Sequence, residues 1–424
     1  MTEQLNKKIH VVLTTILAFL IPSFPNALPV LIVLLALNWL IYYKNIKISF
    51  QNIRKNAALL FMLLLYVAYL VGLLYTSNFK FAAEILETKF SFLLLPLVYS
   101  AYTNETSEKL YHYLLAFVYG CVAYALFCFG YAFYAFYKPV YTDLYGVLYD
   151  LGYNYFYYSY LSSIFHPSYT SMYTVIALLS IYYLNKKSIV QFNWKWISVI
   201  VVLSVYALFL SSKAGWIGLF LVFLVYLFEL FRQSKYLLGL LVVIGLGALF
   251  YLINVRFAPT YAQRIPKVET IENAIKEKDE HNNAVTTSSD GTGSRIFVWK
   301  ASVDVIKDNF LLGVGTGDSR DKMLEKYLEK QMKTEYEFGL NSHNQFLNTT
   351  VSLGLLGLLL LLACFVVPFF KALRVKNILV IGFVVLVSIN LLFESMFERQ
   401  AGVIFYVFLN TLLCSTFVSG KFKN

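Results

Sequence analysis

Residues 57–75 read AALLFMLLLYVAYLVGLLY, a run without one charged side chain, and comparable runs recur along the whole chain. That recurrence constrains the fold more than any other feature. A helix rises about 1.5 Å per residue, so some 20 residues cross the roughly 30 Å hydrocarbon layer of a bilayer. Inside lipid the backbone must satisfy its own hydrogen bonds, which leaves helices or a closed β-barrel. The runs lack the polar–apolar alternation of barrel strands, so they are expected to be helices. Composition agrees. The 424 residues are 59% hydrophobic and 14% charged, against about 25% charged in soluble domains.

An all-α polytopic membrane protein with about twelve transmembrane helices follows. The expected spans are roughly 9–24, 27–43, 57–75, 90–102, 110–137, 168–184, 196–211, 214–231, 236–254, 343–370, 378–395 and 401–418. The fourth is short and interrupted by Pro96. Three units result: helices one to nine over 1–254, a polar loop domain with short helices over 255–342, and helices ten to twelve over 343–424.

The formal charge of +11 suggests nucleic acid at first sight, but its distribution excludes that reading. Basic residues gather in short connections: Lys7 and Lys8, then Lys44 to Lys55, Lys186 to Lys195, Arg232 and Lys235, Lys371 to Lys376, and Lys421 with Lys423. With twelve spans, all six clusters fall on one face. By the positive-inside rule that face is cytoplasmic, both termini are cytoplasmic, and the 255–342 loop faces outward. The partners implied are membrane lipids and no nucleic acid. The four cysteines lie within apolar runs without metal-ligand spacing, so core packing is expected, with no metal and no cofactor.

The outer face also receives the 138–167 connection, rich in tyrosine and phenylalanine, as membrane interfaces favour. Within the long loop, 276–292 is polar and charge-mixed. A helical pattern over 295–309 follows, then a glycine turn at 313–318, a second helix over about 318–338, and a stop at Gly339.

Three groups converge on this face by topology. Ser342-His343-Asn344-Gln345 reads as a capping box, with Ser342 at the cap and His343 the first helical residue. A helix N-terminus favours a neutral imidazole, which can accept a proton, and offers free N–H groups to an anion. The alternative reading is a plain capping or interfacial histidine. Arg295, opening the first loop helix, and Lys213, in the turn SSKAGW, are anion-binding candidates. A solvated arginine and a snorkelling lysine explain them as well. Arg264 and Arg320 share the face. His166, in FHPSYTS, borders the sixth span, where aromatic packing accounts for it equally. Glu394, Glu398 and Arg399, in the last hairpin, are expected to pair with one another.

The segment from Arg295 through Gly357 resembles the O-antigen ligase and O-antigen polymerase superfamily of membrane glycosyltransferases. The matching residues are Arg295 with Trp299, then Leu312-Gly313-Val314-Gly315, then His343-Asn344 leading into Gly354-Leu355-Leu356-Gly357. SSKAGW looks like the family's Ser-Arg turn, with Lys213 in place of the usual arginine. The resemblance implies transfer of an O-antigen-like glycan from undecaprenyl diphosphate to a lipid A–core acceptor at the periplasmic face of the bacterial inner membrane. It further implies a metal-independent, inverting reaction, with His343 as general base and Arg295 and Lys213 holding the diphosphate. His166, Asn344, Arg264 and Arg320 are accessory candidates. Two other readings remain at this stage. A polymerase would join repeat units on the same carrier. A transporter is of a different class, but the span centres are nearly free of the ionisable residues that coupled transport requires.

Overall fold

A computed structural model describes residues 2–42, 44–137, 155–162, 164–234 and 292–417, with scattered positions between 237 and 247. Most of the ninth expected span, 138–154 of the aromatic connection, 276–291 of the connector and Arg264 lie outside the described residues.

Every regular element described is a helix. In chain order these are α1 (Glu3–Leu20), α2 (Leu28–Ile41), α3 (Lys44–Ile53), α4 (Ala57–Val71), α5 (Phe79–Lys89), α6 (Ser91–Ala101), α7 (Thr103–Tyr137), α8 (Tyr158–Leu161), α9 (Pro167–Lys186), α10 (Trp194–Phe209) and α11 (Lys213–Arg232). Beyond the undescribed stretch come α12 (Thr292–Asp308), α13 (Ser319–Glu329), α14 (Lys333–Glu337), α15 (Gln345–Arg374), α16 (Ile378–Phe393) and α17 (Gln400–Ser415). Among the described residues, four helices are long and apolar enough to cross a membrane: Ala57–Tyr75, Thr103–Phe136, Lys213–Arg232 and Gln345–Arg374. A bent pair, Pro25–Ile41 with Lys44–Ile53, makes a fifth if it counts as one span. The 10–17-residue helices α10, α16 and α17 are apolar but shorter.

Two helices form the centre. Pro167 to Leu184 of α9 and Gly402 to Ser415 of α17 are buried on every side, as expected of helices with apolar or small residues all round. α9 packs against α7, α10, α11 and α16, and α17 against α4, α6 and α7. Tyr173 and Phe405 join the two sets, their ring centroids 4.3 Å apart.

Side-chain bonds fix which helix ends lie together. At one end Lys7 meets Glu105 at 2.9 Å, Asn6 donates to the Asn38 carbonyl at 2.6 Å, and Asn56 donates to the Cys414 carbonyl at 3.0 Å. This joins the starts of α1, α4 and α7 with the ends of α2 and α17. At the far end of α9 and α11, Lys186 meets Glu229 at 2.9 Å. Gly215 lies against Ser171, Gly218 against both Val175 and Leu386, and Gly382 against Leu179. α9 and α11 therefore run parallel and α16 antiparallel to both. The starts of α9 and α11, with His166 and Lys213, share one end of the bundle with the close of α16 at Glu394.

The tenth expected span is not one straight helix. Gly354 has φ +61 inside α15, and the residues around the break bond to the loop 310–315. Val314 and Gly315 N–H donate to the carbonyls of Val351 and Ser352 at 2.9 and 3.0 Å, and Leu355 N–H donates to the Phe310 carbonyl at 2.8 Å. A helix broken in an apolar setting leaves backbone groups unpaired, and the glycine loop pairs them. Both glycines are required for the approach. A Cβ on Gly354 would lie 2.4 Å from the Leu311 carbonyl, and one on Gly313 would lie 2.5 Å from Ser352. Gly313-Val314-Gly315 is thus more than a turn between helices: it splices the loop domain into the span.

Candidate functional site

The start of α15 corrects the capping box. Asn344, not Ser342, is the N-cap; its side chain accepts from the N–H of Phe346 at 2.9 Å and of Leu347 at 3.1 Å. Ser342 instead accepts from Ser302 of α12 at 2.9 Å. Gln345 does not reach back as a capping box requires. Its carbonyl accepts from Phe397 N–H at 2.7 Å, and its amide faces Thr349 and Glu398. His343 stands outside the helix with φ +43, a left-handed backbone that costs a non-glycine residue about 1 kcal/mol. Its N–H donates to the Asn341 side chain at 2.9 Å. Asn344 wins because a cap must be extended while accepting from the second and third N–H groups, and a left-handed His343 sets Ser342 too far back.

The left-handed turn aims the imidazole at the turn after α16. His343 Nδ1 lies 3.4 Å from Glu394 Oε2, and the Arg295 guanidinium donates to Glu394 Oε1 at 2.7 Å. One carboxylate thus holds both predicted residues. The side chains of Glu394, Arg295 and His343 are 16%, 26% and 29% exposed, partly dry but open to a substrate. Burial pushes the Glu394 carboxyl up, but the hydrogen bond with His343 and the charges of Arg295, His343 and His166 outweigh it. The net shift is below the usual carboxylate value.

The expected pairing within the last hairpin is therefore replaced. Glu394 turns to Arg295 and His343, while Glu398 meets Lys89 at 2.8 Å. Lys89 is 1% exposed, donates also to the Phe397 carbonyl at 3.0 Å, and lies 4.9 Å from the Tyr69 ring. The sequence reading missed both Glu394 as the link and Lys89 as an anchor. A lysine at the close of α5, in a connection otherwise expected at the interface, was the available signal for the second.

Lys213 and His166 lie at the same end of the bundle. Arg295 sits in the first turn of α12, which begins at Thr292. Lys213 is the first residue of α11, behind the Ser212 cap, whose hydroxyl accepts from Gly215 N–H at 3.2 Å. His166 caps α9 ahead of Pro167, a residue favoured at the first helical position. Its ring lies 3.4 Å from the Tyr158 hydroxyl. Arg320 does not join the Glu394 group. It projects from α13 beside Phe81 of α5, 5.9 Å from the ring centroid, and lines a separate cavity of about 300 Å³. The second loop helix is two helices, α13 and α14, broken where Gln331 takes φ +55; Gly339 follows at φ +56.

A bundle of apolar helices that gathers histidine, arginine and carboxylate at one end describes a membrane protein with a polar site beside its apolar helices. The sequence model of the O-antigen ligase family matches residues 197–362. Over this segment the chain is similar to the O-antigen ligase family. Lys213, Arg295 and His343 fall inside the matched stretch; Glu394 and Lys89 fall outside it. Over 258 residues, 58% of its length, the chain is 26% identical to an uncharacterized protein of Haemophilus influenzae, and it spans 61% of that relative.

Proposed function

We propose that this chain transfers a glycan from undecaprenyl diphosphate to a lipid A–core acceptor at the periplasmic face of the bacterial inner membrane. Both termini are then cytoplasmic, and twelve spans carry the site. The observation that supports it best is the bridge from Arg295 through Glu394 to His343. A carboxylate on Nδ1 fixes the ring and leaves Nε2 to take a proton, the relation that orients histidine bases generally. The contact of 3.4 Å is long, as such bonds are before substrate tightens them.

In the reaction the acceptor hydroxyl gives its proton to His343 Nε2 as its oxygen bonds the anomeric carbon. The bond from that carbon to the diphosphate oxygen breaks on the opposite face, and the diphosphate leaves with the electron pair. The configuration inverts. Arg295 and Lys213 take up the charge that develops on the leaving group, the arginine with two parallel donors and the lysine as a point charge. Charged side chains do this work, so no metal or cofactor is invoked. His166 and Asn344 shape the site, one through Glu394 and the other through the cap.

The test is transfer of a carrier-linked glycan to acceptor by purified protein in lipid nanodiscs. His343→Ala should lower the rate by about 10²-fold or more, the usual weight of a general base. Unchanged transfer by this variant would remove the assignment.

A further inference from the structure

The cavity of about 300 Å³ at the loop domain is not used by the chemistry above. It opens between α5 and α13, against the turn 394–399, and its lining includes Phe81, Glu84, Arg320, Asn341, Asn348 and Arg399. The volume is at the small end of ligand pockets, roughly 300–1,000 Å³. We infer that this cavity binds an acidic sugar residue, bearing phosphate or carboxylate, of the acceptor glycan; the inference rests on the transfer reading above.

The chemistry of the lining suits a sugar. Phe81 offers a ring, whose electron-rich face attracts the polarised C–H groups of a pyranose. Asn341 and Asn348 each present donor and acceptor, Glu84 accepts, and the guanidinium groups donate in pairs. Glu398 also borders the space, but Lys89 engages it at 2.8 Å. Two arginines against one remaining carboxylate leave an excess of positive charge, which suits an anionic substituent. The mixture of Glu, Asn and aromatic groups suits a diphosphate less well than a purely cationic lining.

Position assigns the sugar to the acceptor. The turn 394–399 has two ends. Glu394 faces Arg295, His343 and His166, while Glu398 and Arg399 face the cavity. Asn341 joins the two, since it lines the cavity while its side chain accepts the His343 N–H. If the diphosphate lies at the Arg295 end, a nucleophile attacking the opposite face of the anomeric carbon arrives from the cavity end, with His343 between.

Two measurements on the full chain in nanodiscs test this. The first is direct binding of a phosphorylated hexose oligosaccharide and of its dephosphorylated counterpart. The wild type should favour the phosphorylated form by about tenfold, and Arg320→Ala should lose that preference, one charge-assisted contact being worth about that much. Phe81→Leu should weaken both forms. No binding by the wild type, or equal binding by wild type and Arg320→Ala, overturns the inference. The second is transfer kinetics, where Arg320→Ala should raise the acceptor KM about tenfold with the donor KM within about twofold. A raised donor KM instead overturns the acceptor assignment. Oligosaccharide binding without any transfer removes the function proposed above and leaves a sugar site; transfer with no effect at Arg320 or Phe81 does the reverse.

Discussion

Replacing Glu394 by glutamine isolates the bridge that joins Arg295 to His343. Glutamine keeps the shape and can still accept from one partner, but it loses the negative charge that Arg295 and His343 face. The Arg295 contact at 2.7 Å is short and charge-assisted, with side chains 26% and 16% exposed. Such bonds contribute about 1.5–3 kcal/mol when dry, and partial exposure puts the stability loss toward the lower figure, about 1–2 kcal/mol. The catalytic effect has a ceiling. A group acting through His343 cannot cost more than His343 itself, about 10²–10⁴-fold. With one hydrogen bond retained, kcat is expected to fall about 10–10²-fold, equivalent to some 1.4–2.7 kcal/mol. The assay is transfer in nanodiscs for the wild type, Glu394→Gln, His343→Ala and the double variant. If the carboxylate works by holding the imidazole, Glu394→Gln should cost little once His343 is absent. Full multiplication of the two single effects would refute that account, because independent groups add in free energy and coupled ones do not.

Acid should erase part of the same difference. The Glu394 carboxyl in the folded protein lies below its ordinary value of 4.5, so its stabilisation is complete above that value and fades as pH falls through the lower folded one. Thermal melts of wild type and Glu394→Gln should therefore differ at pH 7 and converge on acidification below about pH 4.5; a constant gap would speak against the charge. Gly354→Ala and Gly313→Ala should each abolish monodisperse protein in size-exclusion, whereas Gly130→Ala, where an added Cβ meets nothing within 4 Å, should not. Asn344→Ala should cost about 1 kcal/mol of stability, the usual worth of an N-cap, read as a larger fall in melting temperature than Ser342→Ala gives. Lys89→Met should destabilise by about 3–5 kcal/mol by leaving Glu398 without its buried partner. The double change to Lys89→Met with Glu398→Met should recover much of that loss, and failure to recover would mean that packing, not charge, sets the cost.

Much of the fold was legible because the bilayer reads sequence simply. Long apolar runs had to be helices, and 57–75 and 214–231 lie close to α4 with the turn after it and to α11, while α7 begins at Thr103, ahead of the expected 110. The loop helix over 295–309 and the stop at Gly339 follow from periodicity and from glycine's tolerance of positive φ. What periodicity could not supply was any relation across the chain. The break at Gly354 depends on three backbone bonds to residues some 40 positions earlier. A glycine in an apolar run looks the same with or without them.

Residue type and helix-end position left Arg295 and His343 among several candidates, with Lys213, Arg264, Arg320 and His166, and the family resemblance ranked them first. Sequence also carried the family pattern around them. Tertiary structure alone decided their geometry. Ser342 looks as good a cap as Asn344 until the left-handed turn at His343 rotates the backbone, and Glu394 looks like a hairpin carboxylate until α16 brings it to α12 and α15. The physical reason is the range of each effect. Hydrophobic length and helical period act within about twenty residues, while the bridge through Glu394 spans 99 positions to Arg295 and 51 to His343, and only packing of the bundle closes that distance.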